Sequence, residues 1–95
     1  MYYRTTQLTF DPSKYDAILA YSNSIKDQMR AIPGLIFTHT FRTGEDKLGV
    51  VARYESLAAL EAGQQEINNI MGGIAQFLTS EPQQQMGEVI WRTDD

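Results

Sequence analysis

Cysteine is absent from this chain, and with it go disulfides, thiolate nucleophiles, iron–sulfur clusters and cysteine-ligated zinc. Histidine occurs once, at His39, which removes histidine-rich metal sites and the His-Glu-x-x-His zinc motif; a metal would have only carboxylates to hold it, and none is expected. Cations are sparse as well. Eight Lys and Arg against twelve Asp and Glu leave a net charge of −4, and no run of them forms a basic patch, so nucleic acid is not the expected partner. No stretch approaches the roughly 20 apolar residues of a membrane span. Residues Met1 to Thr6 also lack the apolar segment of a signal peptide, so the expected setting is the cytoplasm, with no membrane involved.

What the chain does contain is an ordinary globular mixture, 42% apolar and 21% charged over 95 residues. That is too apolar for a disordered segment and short enough for one domain, expected to span residues 1–95. Residues 2 to 10 are rich in aromatic and β-branched types without a breaker, which predicts a strand. Asp11-Pro12-Ser13 ends it and supplies a cap and a first-turn proline, with Asp16 three residues after Ser13 completing a box-like start signal. Tyr15, Ile18, Leu19, Ser22, Ile25, Met29 and Ile32 then recur at steps of three and four, predicting one long helix up to Pro33-Gly34.

Leu35 to Thr43 alternate on a period of two, and Lys47 to Glu55 resume after the polar turn Gly44-Glu45-Asp46, so the two runs predict a hairpin. The alternation places Phe37, His39 and Phe41 on the helix side and Ile36, Thr38, Thr40 and Arg42 on the other. Leu48, Val50, Ala52 and Tyr54 share the helix side of the next strand. Ser56 caps a second helix carrying Leu57, Leu60, Ile67, Ile70 and Met71, with a break expected at Gly72-Gly73. The glutamine run Gln83-Gln84-Gln85 reads as a solvated lead-in to a last strand over residues 86 to 93.

The order β, α, β, β, α, β predicts an α+β, ferredoxin-like domain: an antiparallel four-stranded sheet in spatial order 4-1-3-2 with two helices on one face. The other face, expected to carry Val51, Ile90 and several arginines, is left uncovered within one chain, which points to a homodimer with two sheets packed face to face.

Three stretches in this order carry a resemblance: Ile32-Pro33-Gly34-Leu35 before the second strand, Ala52-Arg53-Tyr54-Glu55-Ser56 leaving the third, and Phe77-Leu78-Thr79-Ser80-Glu81-Pro82 before the last. Through them the whole chain resembles the dimeric α/β-barrel superfamily, especially its antibiotic-biosynthesis-monooxygenase-like group. That resemblance implies a dimeric α/β barrel and, among the activities of the group, cofactor-independent oxygenation of polycyclic phenols and oxygenation of quinols. Haem-degrading members build their site from an Asn on the first strand, a Trp at the end of the third and a His on the second helix. The corresponding positions here look like Thr6 and Tyr54, and the second helix has no histidine, only Gln64 or Gly72-Gly73 nearby, so haem ligation of that kind is not implied.

His39, between Phe37 and Phe41, reads either as a hydrogen-bonded cleft-edge residue or as a general base for a phenolic proton. Arg4 shares a face with Thr6 and Leu8 and reads either as half of a pair with a helix carboxylate or as the binder of an anionic ligand. Glu55 is the expected partner of Arg53, and Glu88 of Arg92. Tyr2, Tyr54 and Trp91 are core aromatics or the walls of an aromatic slot. The resulting expectation is a cleft with His39 as the catalytic residue and Arg4, Thr6 and Tyr54 binding a small aromatic ligand. A small-molecule enzyme, a ligand-binding dimer without chemistry, and a purely structural dimer all remain open on the sequence.

Overall fold

The computed structural model describes all residues from Met1 to Asp95. Four strands, β1 (Tyr2–Thr9), β2 (Leu35–Gly44), β3 (Lys47–Tyr54) and β4 (Gln83–Glu88), form one antiparallel sheet in the order β2-β3-β1-β4. Four helices, α1 (Tyr15–Ser24), α2 (Lys26–Arg30), α3 (Leu57–Ala62) and α4 (Gln64–Ile74), pack on the face that carries Leu8, Leu48 and Ala52. The ferredoxin-like α+β architecture and its strand order are those expected from the sequence. No helix is long and apolar enough to cross a membrane.

Each predicted helix is divided in two. The first breaks at Ile25, just after Ser22 and Ser24 turn their hydroxyls onto the carbonyls of Ile18 and Tyr21. Such bonds compete for the acceptors that the backbone ladder uses and loosen the turn. The second starts at Ser56, whose hydroxyl accepts the Ala59 N–H at 3.1 Å, but divides at Gly63 rather than at Gly72-Gly73. Those two glycines sit inside α4, and Gly73 has a packing role. The Tyr21 ring fills the space where its side chain would stand, and the Tyr21 hydroxyl donates to the Ile70 carbonyl at 2.8 Å.

A paired prediction follows from that contact. Gly73→Ala displaces Tyr21 and costs about 1–3 kcal/mol of overpacking, against about 1 kcal/mol of helix propensity gained. Gly72→Ala meets nothing within 4 Å and keeps the propensity gain. Urea unfolding is expected to show the first variant less stable and the second more stable than the wild type.

Two strand assignments differ from expectation. β4 spans Gln83–Glu88, three residues upstream of the predicted strand, so the glutamine run pairs with β1 while Val89 to Asp95 leave the sheet. All of β4 is exposed, and its register follows the free N–H and C=O groups of β1 rather than any apolar alternation. In β2 the register shifts between Leu35 and Phe37, so Leu35 opposes Tyr54 and Phe37 opposes Arg53. That bulge at Ile36 reverses the parity of the rest of the strand. Thr38 and Thr40 therefore face the helices, opposite Ala52 and Val50, and Phe37, His39 and Phe41 face away from them, opposite Arg53, Val51 and Gly49.

The helix-free face carries Tyr3, Phe37, His39, Phe41 and Val51, with the Phe37 and His39 rings stacked at 4.5 Å. Ile90 is not part of it: it lies beyond β4 and is 92% exposed. Neither expected arginine pair forms. Arg92 and Arg53 both reach Asp94 in the returning tail, at 2.8 and 3.2 Å, and Arg42 instead lies over the Tyr15 and Phe10 rings. The hydrogen bonds from Arg92 and Arg53 hold the Asp94 carboxyl at about 2. Its folded value is depressed, so the latch is present above the ordinary carboxylate range and is lost as pH falls through that value.

Candidate functional site

Beneath the helices the buried apolar residues fall into two clusters, one around Leu8, Phe10, Ile18, Leu48 and Ile74, the other around Ile32, Ala52, Tyr54, Leu60 and Ile67. A cavity of about 100 Å³ draws its lining from both. Its walls are apolar side chains from α1, α2 and α4, including Ile18, Met29, Ile67 and Ile70. Its polar groups come from the sheet: Arg4, Thr6, Thr38, Thr40 and Gln84. A dry apolar cavity of roughly 150 Å³ takes one benzene ring, so this one is on the scale of a single ring.

The strand register explains how these groups meet. Met86, Arg4, Ala52 and Thr38 form one row across β4, β1, β3 and β2, and Gln84, Thr6, Val50 and Thr40 form the next. Neighbouring strands lie about 4.8 Å apart, so Arg4 and Thr38 stand about 10 Å apart with only the Ala52 methyl between them. A larger residue at Ala52 would fill that space.

Arg4 is only 3% exposed and has no carboxylate within ion-pair distance. Its Nη1 donates to the Tyr54 hydroxyl at 2.8 Å and its Nη2 to Gln64 Oε1 at 2.6 Å, both neutral acceptors. Gln64 is held in that orientation by its own Nε2, which donates to Asn68 Oδ1 at 2.8 Å one turn along α4. The Arg4 guanidinium also lies over the Tyr54 ring, 5.2 Å from its centroid. Arg4 Nε and Thr38 Oγ1 are both buried without a hydrogen-bond partner. Buried polar atoms are nearly always satisfied, so two orphans on residues lining one cavity leave polar groups free to take a partner such as water or a ligand.

Of the residues expected at the site, Arg4 and Thr6 line the cavity. Tyr54 is fully buried beside it and orients Arg4, rather than touching the cavity itself. His39 does not converge with them. The bulge at Ile36 sends it to the helix-free face, where it is exposed, so it cannot act as a base in this cavity. Trp91 is 78% exposed on the tail and forms no aromatic slot with Tyr54. The same bulge turns Thr38 inward, and its only sequence signal is its alternation with aromatic residues. We expect His39→Ala to leave the affinity of a cavity ligand unchanged and to cost about 0.5–1.5 kcal/mol in urea unfolding, the value of its stacking on Phe37.

A hollow of about 340 Å³ on the helix-free face is lined by residues such as Thr5, Gln7, Phe41, Gln83 and Gln85 and contains no ionisable group. No three His, Asp or Glu side chains come together in a way that could hold a metal ion. The cavity under the helices combines apolar walls with a buried charge, the combination that small-molecule sites use.

The fold and this cleft define a class: ferredoxin-like α+β domains with an apolar cavity between helices and sheet. No protein-family model and no curated protein matches the sequence. Among solved structures, the chain is similar to the NE2512 protein of unknown function from Nitrosomonas europaea, with a TM-score of 0.81, 18% identity and coverage of 97% of this chain and 91% of that one. It is similar to an antibiotic biosynthesis monooxygenase, with a TM-score of 0.77, 13% identity and coverage of 95% and 99%. It is also similar to SnoaB, a cofactor-independent oxygenase from Streptomyces nogalater, with a TM-score of 0.75, 9% identity and coverage of 99% and 97%. The fold is thus that of antibiotic-biosynthesis-monooxygenase-like proteins, in agreement with the resemblance carried by the sequence.

Proposed function

We propose that this protein is a small-molecule enzyme that oxygenates a single-ring phenol or quinol in the helix–sheet cavity without a bound cofactor. The observation that carries the reading is Arg4, a buried guanidinium without a counter-ion on the lining of an apolar cavity the size of one ring. In such a setting the charge favours the ionised form of an acidic ligand. The fold shared with a cofactor-independent oxygenase supports the choice of chemistry. The balanced reaction is a quinol plus dioxygen giving a hydroxyquinone plus water. One oxygen atom is inserted into a ring C–H, the other leaves as water, and the ionised ring supplies the electrons.

A second reading, ligand binding without turnover, is favoured by the absence of any carboxylate or imidazole from the cavity lining. Oxygen uptake with a panel of single-ring quinols separates the two. Consumption of one dioxygen per hydroxyquinone formed supports the enzyme, and ligand binding without uptake supports the binding protein.

The proposed assembly is a homodimer through the helix-free face, supported by the uncovered Tyr3, Phe37, Phe41 and Val51. Sedimentation equilibrium at micromolar concentration is expected to give twice the chain mass; the mass of one chain would contradict it.

A further inference from the structure

Every hydrogen bond that Arg4 makes goes to a neutral acceptor, and this arrangement is specific. The Tyr54 hydroxyl and the Gln64 amide oxygen satisfy Nη1 and Nη2 at 2.8 and 2.6 Å but cancel none of the charge. A buried guanidinium is ordinarily paired with a carboxylate, because leaving a charge uncompensated in an apolar interior is costly. Gln64 differs from glutamate only in its amide, and it is locked by Asn68 with the oxygen toward Arg4. The position that could neutralise Arg4 is thus occupied by the neutral isostere.

We propose that Gln64 is a specificity-determining residue. By holding Arg4 in place without neutralising it, Gln64 makes the cavity select a compact apolar acid carrying one negative charge. The acidic group of that ligand lodges over Ala52, accepting from Arg4 Nε on one side and from the Thr38 hydroxyl on the other, the two orphaned polar atoms of the cavity. Its ring lies among Ile67, Ile70 and Met29. This choice of ligand charge rests on the cavity being the ligand site, as in the proposed function, but it does not depend on oxygenation.

The test is titration calorimetry of benzoate and of its neutral isostere benzamide at neutral pH, on the wild type, Gln64→Glu and Thr38→Val. Neither probe is a quinol, so binding is read apart from turnover. The wild type is expected to bind benzoate about tenfold or more tighter than benzamide, the range that a hydrogen bond to a charged group provides. Gln64→Glu places a carboxylate on Arg4 and is expected to weaken benzoate by about tenfold or more, leave benzamide unchanged, and keep or raise the melting temperature. Thr38→Val, nearly isosteric, is expected to weaken benzoate several-fold, and it decides the matter alone if Gln64→Glu does not fold. Equal affinities for the two probes, no benzoate binding at all, or full benzoate affinity in the variants would overturn the inference. Benzoate binding without oxygen uptake on quinols would sink the oxygenation alone.

Discussion

Ala52→Leu is expected to abolish binding of a single-ring ligand, weakening it by about 100-fold or more, while the protein stays folded. Ala52 is the only residue between Arg4 and Thr38 in their row across the sheet, and its methyl is the floor on which the ligand's polar group would rest. Leucine adds three carbons at that point, and the cavity of about 100 Å³ has room for them. Each newly buried methylene contributes about 0.8 kcal/mol, set against about 1–3 kcal/mol of strain for enlarging a core side chain, so net stability moves little. The ligand, by contrast, loses its whole seat. Calorimetric titration with phenol alongside urea unfolding reads both quantities. Unchanged affinity in a folded Ala52→Leu protein would place the ligand elsewhere.

The largest stability effect is expected at Tyr54. Its side chain is completely buried at the centre of the second core cluster, and its hydroxyl accepts from Arg4. Truncating a buried aromatic to alanine costs about 3–5 kcal/mol. Leaving a charged donor without its partner adds roughly 1–3 kcal/mol. Against a total stability of about 5–15 kcal/mol, Tyr54→Ala leaves a protein close to unfolding at room temperature. Tyr54→Phe keeps the ring and loses only the hydroxyl, so its cost is confined to the smaller of the two amounts. Urea midpoints for the two variants, compared with each other, separate packing from the Arg4 contact. If Tyr54→Phe proves as damaging as Tyr54→Ala, the hydroxyl rather than the ring dominates, and the packing account fails.

The sequence was most legible where alternation ran uninterrupted. β1 has no bulge, so Arg4, Thr6 and Leu8 could be assigned to the helix side from a period of two alone, and the structure buries all three. The same reasoning placed Leu48, Val50, Ala52 and Tyr54 correctly on β3. In β2 it failed for one physical reason. Leu35 does sit on the helix side, opposite Tyr54, but one extra residue at Ile36 inverts the parity from Phe37 to Arg42. A single bulge leaves no mark on residue type, and with phenylalanines on one face and threonines on the other the residue pattern points the apolar face inward. On that pattern alone His39 falls in the cleft and Thr38 outside it.

β4 was misplaced because an exposed edge strand needs only backbone groups to pair, so Gln83, Gln84 and Gln85 serve as well as any apolar run. Gly72-Gly73 was read as a break because glycine weakens helices. Its actual role, making room for Tyr21, arises from a contact between residues about fifty positions apart that no local pattern records. The same limit applied to Arg4. Its face was legible, but the neutrality of its partners was not, since Gln64 reaches it across 60 positions of sequence.

The central claim, that the cavity between helices and sheet is the ligand site, is tested most directly by methyl NMR during titration with phenol, using selectively labelled alanine, isoleucine and valine. The account predicts that the largest shifts fall on the Ala52, Ile67 and Ile70 methyls, which line the cavity, while Val51 on the opposite face stays still. Shifts concentrated at Val51 and in the tail at Val89 and Ile90, with the cavity methyls unmoved, would contradict it.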